Sequence, residues 1–180
     1  MRSILSLLFV ILLLNTVSTR ARAQVISGPH NSDAQILVGE WFEIASIPNW
    51  YTRECVGTKV QYLLRSETQL EIKSSCHLRD RRLAKRSDRS IATITRDEPG
   101  KLNVNYFWPF SGEQWIIESL PDDDLVVLAD PNRQKLWILS RRSSVPKELL
   151  IELIGRIESI HGFDSTKIQL TPQPRLILQP

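Results

Sequence analysis

Three histidines and two cysteines are all the soft metal ligands and thiols that this 180-residue chain contains, and they are placed for neither metal binding nor nucleophilic catalysis. His30, His77 and His161 lie far apart in sequence, no two at metal-ligand spacing, and no serine or cysteine nucleophile is framed beside them. A glycine-rich phosphate loop is missing, so nothing invites a nucleotide. No internal repeat, low-complexity tract or Gly/Ser linker divides the chain. These absences point to one binding domain without cofactor or metal, and away from an enzyme.

The longest apolar run, Ile4 to Leu14, is too short to span a bilayer as a stable helix. With Arg2 before it and Ala21-Arg22-Ala23 after it, residues 1–23 read as a secretory signal peptide cut before Gln24. A lipid-anchored bacterial protein would carry Cys at that point. The expectation is therefore an exported, soluble chain, periplasmic or secreted, whose single domain is residues 24–180, with the folded body over 32–172. An excess of charge is also absent. Arg2, Arg20 and Arg22 fall in the leader, which leaves 20 basic against 20 acidic residues, and this neutral balance gives no argument for nucleic acid.

In an exported chain, two cysteines are expected to pair. Cys55 and Cys76 are symmetric about the midpoint between Arg65 and Ser66, where Arg65-Ser66-Glu67-Thr68 offers a turn. A cross-strand bridge in a hairpin needs that symmetry. Pairing would leave no free thiol for nucleophilic or isomerase chemistry.

Eight short runs have strand character: Trp41–Ile47, Cys55–Leu64, Gln69–His77, Arg89–Thr95, Lys101–Trp108, Glu113–Ser119, Leu125–Ala129 and Lys135–Arg141. Connections are short, so successive strands should be antiparallel neighbours. The period then changes: Leu149, Leu150, Leu153, Ile154, Ile157 and Ile160 share a helical face, with Pro146 in the first turn and Gly162 as the C-terminal cap. A short strand is expected at Ile168–Leu170. The fold class is mainly β: an eight-stranded antiparallel up-and-down barrel with one C-terminal helix packed outside, wide enough inside for a small ligand.

Three segments, in order, make the chain resemble the lipocalin family, and within it the bacterial lipocalin and apolipoprotein D group. They are Gly39-Glu-Trp41-Phe-Glu-Ile-Ala-Ser-Ile-Pro-Asn-Trp50-Tyr51, Asn-Tyr106-Phe-Trp108-Pro-Phe110, and Ala129-Asp-Pro-Asn-Arg133-Gln-Lys-Leu-Trp137-Ile-Leu139-Ser-Arg141. The likeness runs from about Asp33 to about Pro172. The family's middle motif, usually Thr-Asp-Tyr, is replaced by Leu-Pro-Asp-Asp-Asp over residues 120–124. The resemblance implies a binder of fatty acids, lysophospholipids or similar amphiphiles, serving storage, transport or maintenance near an outer membrane.

Strand one starts at the end of the barrel where strand eight finishes, so Trp41 and Arg141 share that end. A guanidinium over the indole contributes about 0.5–2 kcal/mol and plugs the barrel. Gly39, Trp41 and Arg141 are therefore structural. The other end is the mouth, built from loops at Pro48–Arg53, Arg79–Arg89, Pro109–Gly112 and Asp130–Gln134. Alternation favours Val56, Val60 and Tyr62, Val104, Tyr106 and Trp108, and Trp137 and Leu139 as lining residues. On strand six, Gln114/Ile116 and Trp115/Ile117 are equally eligible. Trp50 and Phe110 expose aromatics at the mouth, and Arg53, Arg79, Arg82 and Arg133 are its candidate headgroup cations. The competing readings are side chains that only fill a core, a basic hairpin that is merely solvated, and an interaction module, monomeric or homodimeric, that uses the aromatic mouth on a partner or a membrane surface.

Overall fold

In the computed structural model, residues 34–79, 81–107 and 110–173 are described. Residues 1–23, expected to be a leader, and Trp108 lie outside them. A single helical turn, Ala34–Leu37, precedes eight strands: β1 (Gly39–Ser46), β2 (Cys55–Ser66), β3 (Gln69–Leu78), β4 (Arg81–Thr95), β5 (Glu98–Phe107), β6 (Phe110–Leu120), β7 (Leu125–Ala129) and β8 (Leu136–Ser140). Helix α1 (Lys147–Ser159) and a two-residue strand β9 (Gln169–Leu170) follow. Each strand pairs antiparallel with the next, and β1 pairs with both β2 and β8, which closes the barrel.

Alternation along closed strands makes two cores. Inside, Leu37, Trp41, Val60, Tyr62, Leu70, Ile72, Leu102, Val104, Ile116, Val126, Leu128 and Leu139 form one buried cluster, with Tyr106 and Trp137 against it. Outside, Ile44, Ile117, Val127, Leu136 and Ile138 meet Leu150, Leu153, Ile157 and Phe163 of the helical segment. This second core decides the undetermined face of strand six. Trp115 and Ile117 turn toward the helix side, so Gln114 and Ile116 face the barrel axis.

The helix ends are explained locally. Glu148 in the first turn and Arg156 in the last complement the helix dipole. Gly162 adopts φ +70° and its N–H bonds back to the Glu158 carbonyl, as a left-handed terminator should. Ile160, expected on the apolar face, is instead 64% exposed, because the chain leaves the helix there. Buried Glu118 on β6 anchors this end, accepting from Arg156 at 2.5 Å and contacting His161 Nε2 at 2.7 Å.

Three local features depart from the expected strand plan. The basic run after Arg79 is strand, not loop: β4 starts at Arg81 and its residues pair with β3 from Leu78 onward. Cross-strand pairing overrides the low β-propensity of Arg, Lys, Ser and Asp there. The second feature is a bulge between Val56 and Lys59, where Gly57 takes φ +63°. It puts Val56 opposite His77, out of step with Val60 and Tyr62, and the interior cluster omits Val56. The β2–β3 hairpin also turns at Glu67-Thr68, two residues later than symmetry about the cysteines implied. Cys55 therefore faces Leu78, and its disulfide to Cys76 runs diagonally, with Cα atoms 5.4 Å apart.

Candidate functional site

The closed end is built around Arg141. Its guanidinium carbon lies 3.6 Å from the centre of the Trp41 ring. It donates to the carbonyls of Glu40 at 2.9 Å, Ile36 at 3.0 Å and Val38 at 2.8 Å. Trp41 Nε1 donates to the Leu37 carbonyl at 2.6 Å, so the indole is held from both sides. Gly39 is required here: at φ +110°, a Cβ would stand 2.8 Å from Arg141 Nη1. Asp124, in the replaced middle motif, pairs with Arg142 at 3.1 Å at the same end.

Above this plug the wall is mostly apolar. Val60, Tyr62, Val104 and Leu139 are buried within it, and Tyr106 and Trp137 pack against it nearer the mouth. Among the described residues, polar side chains also interrupt the wall, and of these only Gln114 was weighed from sequence, as part of one of the two eligible faces of strand six. Glu43, two residues on from Trp41 along β1, is 6% exposed. Its Oε1 accepts from Ser46 Oγ at 2.9 Å and Thr171 Oγ1 at 2.6 Å. Burial raises its pKa, against the lowering effect of those two hydroxyls. Thr58 on β2 and Gln114 on β6 are buried with Oγ1 and Oε1 unpartnered, although Gln114 Nε2 donates to the Tyr106 hydroxyl at 3.1 Å. Thr171 belongs to the segment that fills the gap where β1 and β2 part: its N–H donates to the Ile44 carbonyl, and the Gly57 N–H donates to the Pro172 carbonyl. Burial raises the pKa of Tyr62 and of Tyr106 as well, so both remain hydroxyls at neutral pH.

At the mouth, the loop after β1 is organised by Asn49, whose side-chain oxygen accepts from the N–H groups of Tyr51 and Thr52. The Tyr51 hydroxyl donates to Asp88, and Arg86 lies 4.3 Å over its ring and donates to its carbonyl. Trp50 stands beside it with 78% of its surface exposed. Arg53 and Arg79 are exposed at the two strand ends that carry the mouth. Arg82 lies in β4 and Phe110 opens β6. Arg133 Nε donates to the His161 carbonyl at 2.7 Å, which ties the β7–β8 loop to the helix end.

A separate groove of about 400 Å³ lies along β2, β3 and β4, lined by Lys59, Gln61, Lys73, Ser75, Lys85 and Arg89. These residues alternate with interior Val60, Tyr62 and Ile72, so the groove is on the outer surface. Beneath it, buried Glu71 pairs with Arg65 and with Arg89 at 2.9 Å. Among the described residues there is no cluster of potential metal ligands and no free cysteine.

The lipocalin-like domain family matches residues 33–173. Temperature-induced lipocalin-1 of Arabidopsis thaliana is 27% identical over 144 residues, covering 76% of each chain. The outer membrane lipoprotein Blc of Escherichia coli K12 is also 27% identical, over 145 residues and 81% of each chain. Among solved structures, insecticyanin from the tobacco hornworm Manduca sexta superposes with a TM-score of 0.65 at 16% identity, covering 83% of this chain and 85% of its own. Lobster apocrustacyanin A1 gives 0.63 at 18% identity, covering 84% and 92%.

Proposed function

The chain belongs to the lipocalin family, and from that premise we propose that it is an extracytoplasmic carrier whose barrel holds the hydrocarbon chain of a fatty acid, lysophospholipid or similar amphiphile. The observation that carries this reading is the inner wall: apolar side chains from Val60 and Tyr62 to Trp137 and Leu139 around an axis closed at one end by Trp41 and Arg141. Each methylene transferred into such a wall contributes about 0.8 kcal/mol, so a chain of a dozen carbons reaches useful affinity without any headgroup contact. Arg53, Arg79 and Arg82 supply a cationic rim for an anionic headgroup, where solvent screening keeps each contribution below about 1 kcal/mol. Kinship with a protein named as an outer membrane lipoprotein supports a role in lipid storage, transport or membrane maintenance.

Brominated acyl chains test this directly, because bromine quenches indole fluorescence only at contact range. Saturable quenching that disappears in a Trp137→Phe variant locates the chain in the barrel; quenching confined to Trp50 overturns the reading. Replacing Arg53, Arg79 and Arg82 together should weaken anionic lipids more than uncharged ones of the same tail. Equal loss for both would remove the role given to the rim.

A further inference from the structure

The carrier reading leaves Glu43 and Thr58 unexplained. Both bonds to Glu43 use Oε1, so Oε2 has no partner among the described residues, and no cation pairs with this carboxyl there. Thr58 Oγ1 is buried and unpartnered as well. Trp41 on β1 faces Val60 on β2, the pairing ends at Phe42 and Lys59, and Glu43 and Thr58 are the next residue of each strand beyond that last pair. The inserted tail places Thr171 between them, bonded to Glu43. Thr58 Oγ1 is thus a buried hydroxyl without a partner, costly to leave so, and the Glu43 carboxyl on the neighbouring strand keeps its Oε2 unbonded among the described residues.

Resting on the carrier reading, we propose that this pair recognises a hydroxyl group in the middle of the bound acyl chain, which donates to Glu43 Oε2 and accepts from Thr58 Oγ1. One alcohol satisfies both open valences. A second carboxylate at that level would meet an uncompensated acid, so the ligand's own anionic head belongs at the rim and only a neutral polar group fits below. Depth agrees with this. Glu43 precedes the mouth residue Pro48 by five positions, which at about 3.3 Å per residue and a tilt of about 40° places it about 12 Å down. An extended chain covers that depth in about ten carbons. The ligand class is therefore a long-chain acid or acyl lipid hydroxylated near mid-chain.

Ricinoleate and oleate differ by one such hydroxyl and share headgroup, length and unsaturation. Titration of the disulfide-intact protein with each, by quenching of intrinsic fluorescence or by calorimetry, should give about tenfold tighter binding of ricinoleate. Thr58→Val keeps the volume and removes the donor. Glu43→Met removes the acceptor. Each should bring the ratio to about one, and Thr58→Val decides alone if the Glu43 variant does not fold. Oleate bound as tightly as ricinoleate by the unmodified protein, or a preference untouched by Thr58→Val, would overturn the inference and leave the carrier reading standing. Failure to bind either acid would instead overturn the carrier reading on which it rests.

Discussion

Replacement of Arg141 by alanine tests whether one side chain closes the barrel. Its guanidinium serves three carbonyls and the Trp41 face. The site is partly open to solvent, so each bond contributes about 0.5–1 kcal/mol and not the larger value of a buried charge. Stacking on the indole adds about 0.5–1 kcal/mol. The sum is a loss of about 2–4 kcal/mol, or a fall in Tm of roughly 6–12 °C for a domain of this size. Arg141→Lys retains the charge and the cation–π contact but cannot fork to three oxygens, so it should lose about half as much. Equilibrium urea unfolding of the disulfide-intact chain measures both. A change below about 0.5 kcal/mol for alanine, the size of an ordinary surface substitution, would refute the closing role. Lysine and alanine losing equally would refute the cation–π share.

Three other outcomes follow from the same geometry. Glu43 titrates above its ordinary value of 4.5 in the folded chain, so the folded state holds a proton that the unfolded state has released. Its contribution to stability falls as pH rises from 4.5 through the folded value, and Glu43→Gln should flatten that part of the stability–pH curve; an unchanged slope would exclude the assignment. Removing the Cys55–Cys76 bridge, which closes a separation of 21 residues, should cost about 3 kcal/mol. Denaturant midpoints of the double serine variant check this. Leu153→Ala at the helix–barrel contact should cost about 2–5 kcal/mol, with loss of far-UV helical signal before barrel unfolding if the helix docks as a separate layer.

Much of the architecture was legible in the chain because closed sheets write themselves as alternation. Val104 and Tyr106 alternate with asparagines, and Trp137 and Leu139 alternate with the helix-facing Leu136 and Ile138, so their inward faces followed from parity. The relation of Trp41 to Arg141 followed from strand order alone. What stayed hidden depended on partners distant in sequence. Both faces of β6 carry apolar residues, and only the packing of α1 against one of them resolves the choice. A single extra residue near Gly57 shifts Val56 out of step, and nothing in the local pattern marks a bulge. The bond from Arg133 Nε to the His161 carbonyl joins residues 28 apart in the chain, which no local pattern marks. Glu43 occupied an inward position by parity from Trp41, but a charged residue inside an apolar wall runs against the hydrophobic pattern. Such conflicts between local pattern and burial are expected where a site serves a ligand.

The most direct test of the carrier account is native mass spectrometry of the disulfide-intact protein purified without added ligand, followed by organic extraction and identification of whatever is bound. The account predicts a fatty acid or lysophospholipid at near-stoichiometric occupancy, enriched in chains with a mid-chain hydroxyl. A protein that emerges empty and then fails to take up such lipids would contradict it.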